Sequence, residues 1–371
     1  MKILHICSYY QNVLFENLVA ALRKHGMENE VYIFLPKEER ENDFPNKKEN
    51  IRLSYCYNKW ERVFFHLKHT KVDRDFTEKY CDTIKEYDCV YAHSLFSNGY
   101  IAYKAKKKWG IPYIVMVQNT DLNVFFKRMK HLVPLGRNIL KEADKIIFAS
   151  QSYLNEALDK YVEKACRKEI ESKSVVIPYG IDDYYFTQNQ HVNNNDDKNH
   201  ILSVGTICSN KNHLVLAEAI KILKEKHNIE ADLTVIGAFA DRGIVEKLNS
   251  YPFVTCIDFI KKEELIEHFQ KADVFALLSK YETFGLVYAE ALSQGCPIVY
   301  SKGQGFDMQF EEGEAGYHAD ARNVNEIAET IKYLLNNRIS IEKCISCSQK
   351  YKWNTISQKY ANVFDGITRK K

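Results

Sequence analysis

Apolar and polar positions alternate in short blocks along this chain. Apolar runs at Ile3–Cys7, Val31–Leu35, Cys89–Ala92, Ile111–Val117 and Lys145–Ala149 are separated by amphipathic stretches such as Leu14–Lys24. Short buried runs alternating with helical spacing predict βαβ units and a parallel sheet. The alternation restarts at Ile201. Strands are predicted at His200–Val204, Asp232–Ile236, Phe253–Ile257, Val274–Leu278 and Pro297–Tyr300, with helices at Leu214–His227, Glu263–Ala272 and Phe284–Gln294. Between the two series, Thr187–Asn199 reads TQNQHVNNNDDKN, an Asn- and Asp-dense stretch that suits a surface linker. The pattern therefore predicts an α/β protein of two doubly wound domains, residues 1–186 and 200–350, joined by a linker at 187–199. Ligands of open α/β sheets sit outside the carboxyl ends of the strands, so a cleft between two such domains is where chemistry is expected.

A length of 371 residues exceeds what one hydrophobic core usually supports, and a 45% hydrophobic fraction is enough to fill two. The 52 basic and 49 acidic residues leave a formal charge of +3, which gives no whole-molecule case for nucleic-acid binding. Ten cysteines stand mostly inside apolar runs, as at Cys7, Cys89, Cys208, Cys256 and Cys296, and read as reduced thiols of a cytoplasmic protein. Cys344 and Cys347 form a single CxxC with no histidine nearby, a spacing that helical geometry alone produces. The opening Met1–Cys7 run is too short for a signal-peptide core, and no stretch reaches the ~20 apolar residues of a membrane span.

The richest segment is Ser279-Lys280-Tyr281-Glu282-Thr283-Phe284-Gly285-Leu286, running on through Glu290 to Gln294-Gly295-Cys296-Pro297-Ile298-Val299. A buried strand enters a loop bearing Glu282, and the amides of Phe284, Gly285 and Leu286 open a helix, which makes an anion site suited to a diphosphate. Glu290 lies ~9 Å further along at ~1.5 Å rise per residue. One carboxylate is thus placed for the sugar side of a diphosphate and the other for the ribose side.

This segment resembles the E-x7-E signature of the family 4 retaining glycosyltransferases. The likeness spans nearly the whole chain: Val176-Ile177-Pro178-Tyr179-Gly180-Ile181-Asp182 resembles V-I-P-N-G-I-D, Ser203–Asn212 resembles a V-G-R-L-x-x-x-K-N phosphate loop, Gly316-Tyr317-His318 with the helix Asn325–Leu335 resembles the end of the second sheet, and Tyr351-Lys352-Trp353 opens a C-terminal helix over 351–371. The resemblance implies the GT-B fold, two Rossmann-like domains facing across a cleft with that last helix crossing back to the N-domain. It further implies metal-independent transfer of a hexose-type sugar, with retention, from a nucleotide diphosphate, UDP being the expected carrier, to a hydroxyl of a glycan or lipid-linked acceptor of the bacterial surface-polysaccharide type. No cofactor is implied beyond the nucleotide-sugar substrate.

On this reading Glu282 orients the donor sugar, and Lys211 neutralises charge growing on the leaving diphosphate. Glu290 holds ribose, and Gly205, Thr206, Ile260, Phe284, Gly285 and Leu286 complete the nucleotide site. Thr206 stands where the family has Arg, and Gln118 where it has His; the N-domain cluster Gln118, Asn119, Thr120, Asp121 still offers polar groups at a strand end. For Asn119 and Asp121, catalytic and turn-forming roles both fit. His93, also at a strand end, is either structural or placed to touch acceptor or sugar. The loop Gly303–Phe306 either closes over the donor or is an ordinary glycine turn. Asp73-Arg74-Asp75 has DxD spacing but sits in a charged helical stretch, so no metal is assigned. Two mixed basic and aromatic stretches, Trp60–Lys68 and Phe125–Leu132, are expected to be amphipathic helices packed on their own sheet, with contact at the inner face of the cell membrane as the alternative. The rival functions are a nucleotide-sugar epimerase of the same architecture and a non-catalytic partner subunit.

Overall fold

The computed structural model describes residues 1–8, 10, 13–39, 50–187 and 198–368. The chain forms two compact units, the first comprising Met1–Ala149, Tyr153–Pro178 and Trp353–Lys371, the second Ser150–Ser152 and Tyr179–Lys352.

The first unit holds a seven-stranded sheet made of β1 (Lys2–Ile6), β2 (Glu28–Pro36), β3 (Ile51–Tyr57), β4 (Cys89–Ala92), β5 (Tyr113–Val117), β6 (Lys145–Phe148) and β7 (Ser174–Val176). Its order is β3-β2-β1-β4-β5-β6-β7 and every pairing is parallel. All residues of β4 and β5 are buried, because crossover helices cover both faces, and so their sequences read as continuous apolar runs rather than an alternation. β3 and β7 have partly exposed, mixed patterns, and hydrophobic periodicity did not predict them. The helix Trp353–Thr368 returns to this unit. Phe364 packs edgewise and Tyr360 at a tilt on Tyr91, and Ser357 Oγ meets His25 Nε2 at 2.9 Å beyond the helix Val13–Lys24.

The second unit holds β8 (Asn199–Val204), β9 (Ala231–Ile236), β10 (Val254–Ile257), β11 (Val274–Leu277), β12 (Ile298–Ser301) and β13 (Gly316–Ala319) in the all-parallel order β10-β9-β8-β11-β12-β13. Strand and helix bounds here fall within a few residues of those expected, the largest difference being a helix that starts at Leu286 instead of Phe284.

Two expectations are corrected. The first unit ends at Pro178 rather than at 186, because the segment after it belongs to the second core: the Tyr179 ring packs on Phe284, Asp182 pairs with Lys262 at 2.6 Å, and the Tyr185 carbonyl accepts from Gln294 Nε2. Most of the expected linker, residues 188–197, lies outside the described residues. Phe125–Leu132 is no amphipathic helix. A π-helical turn, Asp121–Phe126, and a short 3-10 turn sink Phe126 and Leu132 into the core.

Candidate functional site

In each sheet the strand order reverses at one place, between β1 and β4 in the first and between β8 and β11 in the second. Loops diverge there at the carboxyl ends, which is where open α/β sheets receive ligands. In the second unit the two loops at that point are the one after β8, carrying Gly205, Thr206 and Lys211, and the one after β11, carrying Glu282.

They are tied together. Asn210 accepts from the Lys280 amide through its carbonyl at 2.9 Å and from the Tyr281 amide through Oδ1 at 3.1 Å, and its Nδ2 donates to the Tyr281 carbonyl at 2.9 Å. Across this stitch Lys211 Nζ reaches Glu282 Oε2 at 2.7 Å, both side chains largely shielded. Ser279 Oγ donates to the same carboxylate oxygen at 3.2 Å, and the Thr283 amide to the other at 3.1 Å.

A third loop fixes the second. Gln304 Oε1 accepts from the Glu282 amide at 3.0 Å, and the Gly305 amide donates to the Glu282 carbonyl at 3.1 Å. A Cβ on Gly305 would fall 2.0 Å from the Thr283 carbonyl oxygen, so only glycine lets these backbones meet. The Gly303–Phe306 segment is thus packed against the Glu282 loop, with Phe306 beside Phe284 and Tyr288.

Gly285 opens the helix Leu286–Ser293 at φ +82°, and a Cβ there would strike the Tyr288 ring. Phe284 is buried against Tyr179, Phe306 and Tyr351, which anchors the helix start. The first amides of any helix lack intrahelical partners and carry the positive end of its dipole. Glu290 is bonded to the Tyr185 hydroxyl, and burial raises its carboxyl to about 7, with the charge of Asp182 adding to the rise and the Tyr185 bond opposing it. Thr206 is exposed in the loop that carries Lys211, and Ile260 follows β10 at the sheet edge, two strands away from the reversal point.

In the first unit the strand-end residues are heavily bonded. Asp121 is buried and its two oxygens accept from the amides of Leu95, Phe96 and Gln118 at 2.9, 3.1 and 2.8 Å. Desolvation pushes its pKa up to about 6 against those three bonds. Of its two expected roles the structure displays the turn-forming one. Asn119 spans from Tyr153 Oη to Asn123, and Gln118 Nε2 donates to the His93 carbonyl. His93 is buried against His5.

Other motifs resolve into structure. Asp73 and Asp75 lie on the helix Phe65–Tyr80, where Asp75 accepts from Tyr32, Ser54 and Lys79. Cys344 and Cys347 lie on the helix Ile341–Ser348, and all ten cysteines are free thiols. Among the described residues the group able to bring three ligand atoms within 4.8 Å is Asp307, Glu312 and His318, in which His318 Nδ1 pairs with both carboxylates. Ser279, Asn210 and Gln304 lie in segments that sequence marks but had no assigned role, and Tyr185 was not marked; Asn210, Gln304 and Tyr185 act on residues outside their own segments, which no local pattern shows.

Comparison with known proteins relates both halves of the chain to one family. The family model described as Glycosyltransferase Family 4 matches residues 11–184, and the one described as Glycosyl transferases group 1 matches residues 186–351. An uncharacterized glycosyltransferase of Methanocaldococcus jannaschii is 22% identical over 99% of both chains. The alpha-monoglucosyldiacylglycerol synthase of Acholeplasma laidlawii is 26% identical over 85% of this chain and 82% of its own. Among solved structures, a sucrose-phosphate synthase from Thermosynechococcus elongatus superposes with a TM-score of 0.77 at 18% identity over the whole of both chains, which shows a shared GT-B fold. With both halves matched in order and the fold shared, the chain belongs to the family 4 glycosyltransferases.

Proposed function

We propose that the protein moves a hexosyl group from a nucleoside diphosphate sugar, UDP being the carrier, to a hydroxyl of a glycan or lipid-linked acceptor, with retained configuration and no metal ion. The observation that carries this reading is the 2.7 Å pair of Lys211 and Glu282 beside a helix start at the sheet's reversal point. A cation and oriented amides suit the leaving diphosphate, and a carboxylate suits the sugar hydroxyls. The Anabaena protein HepE, solved with UDP-glucose, aligns over 99% of this chain with a TM-score of 0.68 at 16% identity, and the relative from A. laidlawii is by name a glucosyl-lipid synthase.

In this mechanism the bond from the anomeric carbon to the phosphate oxygen breaks as the bond to the acceptor oxygen forms on the same face. The acceptor proton passes to the departing phosphate. Lys211 and the Phe284–Leu286 amides hold the growing negative charge, Glu282 orients donor hydroxyls, and Glu290 takes the ribose. No protein nucleophile is required.

A thermal-shift and hydrolysis screen of nucleotide sugars with and without chelator tests the reading. UDP is expected to stabilise the protein in chelator, and one UDP-sugar to be slowly hydrolysed. Turnover that needs Mn²⁺ would overturn the metal-free assignment. A new sugar isomer from the donor alone would make the protein an epimerase, and absence of any nucleotide-sugar binding would make it a partner subunit.

The lipid-linked acceptor draws support from the surface of the first unit. Trp60, Val63, Phe64 and Leu67 are 58, 77, 57 and 42% exposed beside Lys59, Arg62 and His66, although no helix among the described residues is long and apolar enough to cross a membrane. Aromatic side chains with basic neighbours suit an anionic lipid surface. Replacing Trp60 and Phe64 by Glu is expected to reduce co-sedimentation with phosphatidylserine vesicles by at least about tenfold, since burying each ring is worth roughly 1.5–3 kcal/mol. Unchanged sedimentation would remove the membrane from the proposal.

A further inference from the structure

The reversal point of the first sheet holds a buried chain of hydrogen bonds whose direction is determined. Asn29 Nδ2 donates to the Met27 carbonyl at 2.7 Å, which turns Asn29 Oδ1 toward His5 Nε2 at 2.8 Å. His5 Nε2 must therefore carry a proton. A neutral His5 then presents a lone pair at Nδ1, and His93 Nε2, 2.9 Å away, must donate to it. A neutral His93 is left with a bare lone pair at Nδ1. Among the described residues nothing donates to that atom, and the residue is 2% exposed. Neutrality follows from burial: it holds His5 near 4 and His93 well below the usual imidazole range, with the charge of Arg23 lowering His5 and His5 lowering His93.

A second unmet group stands at the same sheet end. Asn98, fully buried in the first turn of the helix Ser97–Trp109, accepts from the Ser8 amide through Oδ1, while its Nδ2 has no partner among the described residues. Buried polar groups are rarely left unpaired, and here one needs a donor and the other an acceptor. Ser8 follows β1 and His93 follows β4, the two strands between which the order reverses. A polyhydroxylated ring supplies both kinds of partner.

We infer that His93 Nδ1 accepts a hydrogen bond from a sugar hydroxyl bound by the first unit, and that His5 and Asn29 are positioning residues that hold His93 in the accepting tautomer. This rests on the glycosyl-transfer reading above and adds a direction to it. The hydroxyl belongs to the donor sugar or to the acceptor sugar, and kinetics separates the two: the KM that rises on substitution of His93 names the source.

The test uses the full-length protein and the nucleotide sugar that the screen finds turned over, UDP-glucose being the first tried. In wild-type protein with ¹⁵N-labelled histidine, Nδ1 of His93 is expected to be unprotonated at neutral pH. His93→Phe is expected to lower kcat/KM about tenfold, the effect of one lost hydrogen bond, with UDP affinity unchanged. His93→Asn, which returns a carbonyl oxygen near the Nδ1 position, should recover most of that loss. Asn29→Asp is the decisive variant. A carboxylate beside His5 raises its pKa, a protonated His5 donates from Nδ1, and the proton of His93 is driven onto its own Nδ1. Among the described residues the charged and titratable groups about the relay are Arg23 and the Tyr91 phenol at the histidines and Lys2, Glu28 and Glu30 around Asn29, and none is altered. Transfer by Asn29→Asp should therefore fall about tenfold as pH drops through the new His5 pKa, while the wild type shows no such step. A protonated Nδ1 in the wild type, or an Asn29→Asp pH profile that overlays the wild type, overturns the inference even where His93→Phe does not fold. If the wild type transfers no sugar, the broader reading has failed, and the nitrogen spectrum alone then judges the relay.

Discussion

Lys211→Ala is expected to lower sugar transfer by about a hundred- to a thousandfold while the protein stays folded. The size follows from position. Lys211 is the cation that the loop after β8 brings to Glu282, and Thr206, the other residue assigned to phosphate there, brings a hydroxyl and no charge. Removing a preorganised stabiliser of developing charge from a sheltered site typically costs about 2.7–4 kcal/mol of barrier. Folding should survive because the loop is stitched by Asn210 to Lys280 and Tyr281, independent of the lysine side chain. The loss should fall on turnover more than on UDP binding, since charge on the phosphate grows only as the glycosidic bond breaks. Glu282→Ala separates the roles further: it frees Lys211 for phosphate, so UDP binding holds or improves while turnover falls. Single-turnover rates and UDP titrations of the two variants check this. Lys211→Ala with wild-type turnover would end the assignment.

Glu290→Gln is expected to stabilise the protein by about 3 kcal/mol above pH 7 and to weaken nucleotide binding. The folded carboxyl titrates near 7 rather than near 4.5 because burial disfavours its charge. A group with a raised folded pKa contributes its stability fully below the unfolded value and loses it as pH rises through the folded one. Wild type should thus lose stability between about pH 4.5 and 7, at about 1.36 kcal/mol per pH unit. The Gln variant should lack that component of the slope. Nucleotide binding runs the other way. Ribose hydroxyls donate to an ionised carboxylate, so wild-type affinity should weaken below pH 7 by up to about tenfold per pH unit. Subtracting the profile of the Gln variant removes the titration of the nucleotide's own phosphate. Parallel UDP profiles for the two proteins would take ribose away from Glu290.

Tyr185 is the hydroxyl bonded to that carboxyl, and it illustrates how the site divides between local and distant information. Glu282 and Glu290 were legible from their own segment, because strand, loop and helix start follow one another there in sequence and helical rise alone sets their spacing. Lys211 was legible from its loop only through the likeness to a family. That it touches Glu282, 71 residues later, was not. Tyr185 lies in a stretch that sequence assigned to the first domain, and only packing of Tyr179 on Phe284 carries it into the second.

The N-domain shows the same division. His93 was legible as a polar residue at a strand end, but its tautomer depends on His5, 88 residues before it, and on Asn29, which stands 24 residues beyond His5. His5 stood unnoticed inside an apolar run. Asp121 read equally well as catalytic group or turn former, and its bonds to the amides of Leu95 and Phe96, which belong to the turn after another strand, were not legible locally.

What this sequence determined by itself was the succession of elements: apolar runs too short for helices, amphipathic stretches too long for strands, and a glycine at the helix start after Glu282, where a left-handed residue is needed. Periodicity and backbone preference act over a few residues, so these are written locally. Which strand lies beside which is settled by burial of both sheet faces and by the right-handed crossovers between parallel strands. Strand order then decides which loops meet at the reversal points. The Lys211–Glu282 pair exists because β8 lies against β11, the Asn29–His5–His93 relay because β1 lies between β2 and β4, and the Tyr185–Glu290 bond because Tyr179 packs on Phe284, and those neighbourhoods are properties of the folded units.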